Sequence, residues 1–379
     1  MKNLICILTL LITLMACQKE VSDLQTHYFV KFYGDALDDT GVDVELAPDG
    51  GYVVAGTTVR PTGDTDIMLI IVNNYGIQKT QTVYYGEEGD EICTGLLLVD
   101  DGYVITGSVT NGGEENVLLV KIGTDGVLDW SSSWQNPGRG TDIVLINNNI
   151  VVSGYLLNAF GVKRPMILTS DALGNKIDLY SPTDNPGDYF TAVQTRNNQI
   201  FGFGTSINTA INNNMFIAGP AIEPSFFNLS GNEASARIIK GSTGGFFIIG
   251  TTDPVSSGTN QIIVKKVNDD FSEDLTFNAN PIGNNADFRG VDIQEMEDGR
   301  IAVLGDKTFS KDTDIVLYLL NPDGSILSSK IYGRTGNQSA SAVKSTPDGG
   351  LIILGSNQQE KTNSMITLIK TDKDGNIWE

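Results

Sequence analysis

The sequence predicts an all-β chain in which a four-stranded antiparallel unit occurs seven times. Three observations carry this. The first is self-similarity. The phrase "GGYVVAG", ending at Gly56, returns with final glycines at Gly107, Gly154, Gly204, Gly250, Gly305 and Gly355. The steps between them are 51, 47, 50, 46, 55 and 50 residues. The second is a shared grammar. Each copy runs from an Asp/Asn/Gly-rich loop to a short strand, a tight turn, and the strand ending in glycine. A variable polar loop, a nearly continuous apolar strand, an Asx turn ending in Gly and a fourth strand follow. The third is an orphan strand at the start. Tyr28 to Gly34 ("YFVKFYG") matches the unit-ending strands "QTVYYG" and "SSKIYG", yet it has no first three strands of its own.

The units in order are these. Unit one has "VDVELAP" as first strand and Ile67 to Val72 as third. The apolar third strands of later units are Val117 to Ile122, Ile262 to Val267, Ile315 to Leu320 and Met365 to Ile369. These strands do not alternate, so both of their faces need cover. Face-to-face stacking around a ring supplies that cover and leaves no fully open sheet edge. A solenoid would need atypical capping repeats, and the terminal copies are ordinary. The predicted fold is therefore a seven-bladed β-propeller of four-stranded antiparallel blades. The N-terminal strand completes the last blade, because the chain stops at "DGNIWE", where a seventh fourth strand would begin.

The predicted domains are a leader over 1–16, a tether over 17–27 and the propeller over 28–379. The leader has one Lys and then an apolar run from Leu4 to Met15, too short to span a bilayer comfortably. It ends in Leu14-Met15-Ala16-Cys17, which resembles the lipobox of bacterial lipoproteins. That resemblance implies lipidation of Cys17 and a firm anchor through several acyl chains. Gln18-Lys19-Glu20 resembles the export signal of Bacteroidota surface lipoproteins, with one acidic residue where two or more are usual. The repeats, above all "STPDGGLIILG…LIKTDKDGNIW", resemble the extracellular propeller repeats common in Bacteroidota. The likeness fades in units three to five. It implies an outer-membrane, surface-displayed propeller and no particular activity.

Composition narrows the chemistry. The formal charge of −21 argues against a nucleic-acid partner, and it leaves the lipid anchor as the only membrane contact. Of three cysteines, Cys6 lies in the leader and Cys17 is the lipidation candidate, so Cys93 has no disulfide partner, and its apolar neighbours predict a buried thiol. The single histidine, His27, lies at the tether, so histidine-based triads and metal sites are not expected. Nor is any cofactor. Asp372-Lys373-Asp374-Gly375 has the core of a Ca²⁺ loop without the later ligands.

Acids recur in the loops entering the first strands: Asp38, Asp39, Asp90, Glu91, Asp142, Asp188 and Asp287. Gathered at a channel mouth they could hold a structural Ca²⁺ or act as a glycosidase pair. An acid repeated at one place reads first as a turn or inter-blade hydrogen-bond residue. Arg139, Arg289 and Arg334, of eight arginines, fall on the same predicted face. The long loop of unit three carries Phe160, Lys163 and Arg164, apolar and cationic residues suited to a partner surface. The expectation is a non-enzymatic binding or scaffold protein, monomeric or part of an envelope complex. Its face, with Asp39, Asp90, Asp142, Asp188, Asp287, the three arginines and the unit-three loop, would meet a protein or glycan. A periplasm-facing scaffold and a carbohydrate-active enzyme are the alternatives.

Overall fold

The first described strand, β1 (Phe29–Tyr33), pairs with the last, β26 (Ser364–Thr371), from Phe29↔Lys370 to Tyr33↔Ile366. The computed structural model describes residues 28–34, 37–86, 89–182, 187–207, 212–227, 231–254, 258–333, 336–358 and 363–378. The leader and tether, with Cys17, Gln18-Lys19-Glu20 and His27, lie outside the described residues, as does Arg334.

The remaining strands follow the repeat. Unit one is β2 (Asp39–Leu46), β3 (Tyr52–Val59), β4 (Thr65–Val72) and β5 (Val83–Tyr85). Unit two begins with β6 (Asp90–Val99), β7 (Gly102–Asn111) and β8 (Glu114–Gly123). β9 (Leu128–Ile146) is one long strand that ends unit two and opens unit three, which continues with β10 (Asn149–Leu157), β11 (Lys163–Ser170) and β12 (Lys176–Tyr180). The two units therefore share one seven-stranded sheet, a junction where a break was expected. Unit four is β13 (Tyr189–Arg196), β14 (Gln199–Ser206), β15 (Asn214–Gly219) and β16 (Ile222–Phe227). Unit five is β17 (Gly231–Lys240), β18 (Phe246–Pro254) and β19 (Gln261–Val267). Unit six is β20 (Asp287–Glu295), β21 (Ile301–Phe309), β22 (Asp312–Leu320) and β23 (Ile326–Tyr332). β24 (Asn337–Ser345), β25 (Leu351–Gln358) and β26 join β1 in the last sheet, ordered β1-β26-β25-β24.

Unit five corrects the four-strand expectation. Its sheet has three strands, and only isolated bridges such as Ile262↔Ile282 stand where the fourth would be. Pro281 cannot donate to a ladder. Asp270 and Asp274 accept the amides of Ser272 and Thr276, local bonds that compete with strand pairing.

The repeat glycine has a steric cause. Every first strand carries a β-bulge at one place, where Val42, Thr94, Thr141, Thr191, Ala236, Val291 and Ser341 drop out of the ladder. Each repeat glycine lies on the second strand beside that bulge. A Cβ on Gly56, Gly154 or Gly355 would collide with the carbonyl oxygen of Thr40, Arg139 or Ser339. In units three and four the first hairpin turns on Asn147-Asn148 and Asn197-Asn198, all four at positive φ. That is the requirement of a type I′ turn, which Asn meets better than other non-glycine residues.

Hydrophobic clusters lie between consecutive units, not within them. Units one and two share Val53, Leu69, Leu96, Ile105 and Val120. The same arrangement recurs between each following pair. It also joins the last unit to the first, where Tyr33, Ile352, Leu354 and Leu368 pack on Val44, Val54 and Ile70. Burial of both faces explains the unbroken apolar third strands: β4 is buried from Ile67 to Val72. Cys93 is buried in the first of these clusters, as expected of a small hydrophobe.

Polar bonds repeat across the same junctions. The hydroxyls of Thr94 and Thr141, both bulge residues, donate to the carbonyls of Gly140 and Phe190 in the next unit, at 2.8 and 2.9 Å. Ser341 donates likewise to Gly41, from the last unit to the first, at 2.6 Å. In the reverse direction, first-strand amides donate to the side chain after a repeat glycine: Cys93 to Thr57, Gly290 to Thr251, Ala340 to Asp306, and Gly41 to Ser356.

Candidate functional site: the central cavity and its rim

First strands from all seven units line one cavity of about 330 Å³. Glu45, Leu96, Asp142, Gln194, Arg237, Asp292 and Lys344 each come from a different unit. The bulges explain why charged side chains meet there, since a bulge re-aims the residue beside it. Asp43, Asp142 and Asp292 directly follow the bulge residue in units one, three and six, and Arg237 holds that place in unit five.

Each of the three aspartates is a clamp. One carboxylate oxygen accepts a backbone amide from the next unit's first strand: Leu96 to Asp43 at 3.1 Å, Val193 to Asp142 at 3.0 Å, and Val343 to Asp292 at 2.8 Å. Arg237 reaches across the cavity to the remaining oxygens, 2.6 Å from Asp142 and 3.4 Å from Asp292. Lys344 pairs with Glu45 at 2.8 Å. Asp142 beside it raises the guanidinium pKa of Arg237, so that group stays charged. Burial raises the carboxyl pKa of Asp292 and of Glu45, and Arg237 and Lys344 respectively offset part of this. Four acids with two bases make a salt-bridged plug whose carboxylates are already engaged. A free general base is not among them.

The sequence-predicted acids split into two groups. Asp90 and Asp287 are exposed, but each is bound at the start of the preceding unit's third strand, accepting the amides of Thr65 at 3.1 Å and Asn260 at 3.0 Å. Asp38 does the same for Ser364 of the last unit at 2.8 Å. Asp39 and Asp188, expected on the binding face, are instead buried, and so is the neighbouring acid Glu91. Asp188 accepts the Ile207 amide at 2.9 Å. Asp142 is corrected too: it is a strand residue in the central plug, because β9 runs straight through the expected loop. The repeated acids thus act as hydrogen-bond residues between and within units.

The arginines are separately engaged. Arg139 pairs with Glu115 at 2.5 Å and Arg289 with Asp306 at 2.5 Å. Of the three expected arginines, Arg334 lies outside the described residues, and the other two are held by different acids. Near Arg139, strand register sets Tyr155 opposite it, with Arg164 opposite Leu156 and Lys163 opposite Leu157. The Lys163 ammonium lies 4.2 Å from the Tyr155 ring and 4.8 Å from the Tyr189 ring. Burial and Arg139 hold its pKa below the usual lysine value. Phe160 stands at the tip of the Asn158–Val162 turn, 89% exposed. The sequence singled out this loop but not Arg237, Lys344, Asp43, Glu45 or Asp292, the charged residues of the central cavity. The available signal was the column after the bulge, which holds three aspartates and one arginine.

Among the described residues no group of three His, Cys, Asp or Glu is placed to hold a metal ion. Glu233 is a separate buried acid. One oxygen accepts the Gly231 amide at 3.3 Å, and the other has no hydrogen-bond partner among the described residues. Burial pushes its pKa up to about 7. A folded-state pKa above the unfolded one means that stability falls as pH rises from about 4.5 through 7. Glu233→Gln is expected to raise stability by about 1 kcal/mol at pH 8, and the gain should vanish near pH 5. Urea unfolding at the two pH values measures this; an equal effect at both contradicts it.

These features define an all-β protein of packed antiparallel units with its polar groups gathered on a central cavity. No family model matches the chain, and no curated protein is similar to it. Solved structures are similar in fold. A protein of unknown function from Dyadobacter fermentans has a TM-score of 0.52 at 10% identity, over 91% of this chain and 97% of that one. Puromycin hydrolase has 0.55 at 10% identity, over 87% of this chain and 51% of that one. Pyrococcus horikoshii acylaminoacyl peptidase has 0.51 at 10% identity, over 89% and 52%. This chain spans about half the length of those two enzymes. Proteins of the fold thus include hydrolases, and at this identity the likeness extends to the fold alone.

Proposed function

We propose that the seven units close into a seven-bladed β-propeller that serves as a non-catalytic binding protein of the bacterial envelope. Closure is supported by β1 in the last sheet and by the last-to-first bonds Ser341–Gly41 and Gly41–Ser356, which repeat those at other junctions. Anchorage through a lipid on Cys17, with display outside the outer membrane, rests on the lipobox-like and export-like residues of the leader. The observation that carries the binding role is the engagement of the cavity's charges with one another and with backbone amides. That leaves a rigid platform where an acid/base pair would be needed for glycoside chemistry. The contact surface is Phe160 with Lys163, Arg164 and Arg139, a cationic and apolar patch on an acidic chain. An anionic glycan or an acidic protein surface fits it.

Protease shaving of intact cells, with a C-terminal epitope and a periplasmic control, tests display. Loss of the epitope with the control intact is expected, and survival sinks outward display. An array of acidic glycans, probed with wild type and with a Phe160→Ser/Lys163→Ala variant, tests the patch. Binding of wild type is expected to fall at least tenfold in the variant. Equal binding removes the patch from the proposal.

A further inference from the structure

At the residue paired with the repeat glycine, six units bury a bulky apolar side chain: Met68, Leu118, Met166, Phe216, Ile263 and Val316. Each packs into the cluster shared with the preceding unit. In the last unit the partner of Gly355 is Thr367. A cavity of about 400 Å³ opens beside Thr367, between the last two units. The shorter side chain of Thr367 leaves space there that a bulky apolar side chain would occupy.

The cavity has the make-up of a ligand site. Its walls are Val30, Phe32, Ile315, Ile331 and Ile369, and Tyr332 and Trp378 add aromatic surface. Phe32 and Trp378 are 44% and 72% exposed, so the wall continues to a rim open to solvent. Polar groups are few. The amides of Gln338 and Asn357, bonded to each other at 2.9 Å, lie in the lining. The Thr367 hydroxyl is buried without a hydrogen-bond partner among the described residues, a costly state for a native side chain. Lys330, held by Asn376 at 2.8 Å, is the only charged side chain among the described residues of the lining.

We propose that this cavity binds a small, mainly apolar molecule whose buried end carries a hydroxyl or carbonyl oxygen bonded to Thr367. The orphan hydroxyl sets the need for a hydrogen-bonding oxygen. The apolar and aromatic walls set the body of the ligand, and the Lys330 ammonium in the lining disfavours a cation. The site is separate from the Phe160 patch, so either can fail without the other.

Calorimetric titration of the full chain with 2-naphthol tests it, with naphthalene as the analogue lacking oxygen. Wild type is expected to bind 2-naphthol saturably at one site and naphthalene about tenfold more weakly. Thr367→Met restores the side chain that unit one carries there. It should abolish binding and raise the melting temperature by filling the void. Thr367→Val keeps the shape and removes the hydroxyl, so 2-naphthol should bind roughly 5–10-fold more weakly. The second variant decides if the first does not fold. No saturable binding by wild type, undiminished binding by Thr367→Met, or equal affinity of Thr367→Val and wild type overturns the proposal.

Discussion

Deletion of Tyr28 to Gly34 is expected to cost about 5 kcal/mol or more and to leave the chain largely unfolded or aggregated at 37 °C. The segment supplies an entire strand, five paired residues long, to the last sheet. Tyr33 is buried, and its hydroxyl donates to the Gly76 carbonyl of the first unit at 2.7 Å. Phe29 packs edge-on against Tyr52 of the same unit, with ring centroids 6.3 Å apart. One short strand therefore holds the last unit and the first together. Its loss also bares the edge of β26, whose apolar residues would then invite pairing between chains. Thermal unfolding by circular dichroism, together with size-exclusion chromatography, reads both effects. A melting temperature within two or three degrees of wild type would refute closure by β1.

The second large effect is expected at Arg237. Arg237→Met removes the cation from between Asp142 and Asp292 and leaves two carboxylates in a buried site, at a cost of about 3–5 kcal/mol. The sign of the pH dependence follows. Without Arg237, the Asp292 carboxyl loses the charge that offsets its burial, so its folded-state pKa should rise further above its unfolded one. The variant then gains stability relative to wild type as pH falls from 7 toward 5. Adding Asp292→Asn should restore part of the loss at pH 7, which a pure packing defect would not allow. Guanidinium unfolding of the wild type and both variants at two pH values measures this. A pH-independent loss in Arg237→Met would show that its side-chain packing, rather than its charge, is what matters.

Much of the architecture was legible in the chain because the physical constraint recurs every 50 residues or so. Glycines recur at one place because a bulged first strand brings a carbonyl oxygen against them in every unit. The Asx turns ending in Gly76, Gly126, Gly174, Gly324 and Gly375 were readable because each of these glycines has positive φ. The unbroken third strands announced burial on both faces. The fourth strand of unit five was not legible as missing, since its lack depends on Pro281 and on local aspartate turns competing with a ladder.

The site was less legible. Asp90 and Asp287 were assigned to the binding face, while their repetition also implied an inter-unit hydrogen bond, and each makes one. Asp142 was assigned to a loop because nothing in "GRGTDIVL" announces that β9 runs on without a break. The Arg237–Asp142–Asp292 group joins residues from units five, three and six, and no local pattern couples positions so far apart in the chain. Thr367 looks ordinary in sequence; only its register against Gly355 shows that a bulky side chain is missing.

The sequence by itself determined the unit, its strand order and turns, the pairing role of the first strand and the acidic surface. All of these follow from short-range rules of backbone geometry and burial acting within a single repeat. Only the tertiary structure decided which charges meet in the central cavity and where packing leaves a void. Those depend on side chains from different units converging, and a one-residue bulge or substitution in one unit is felt against its neighbour.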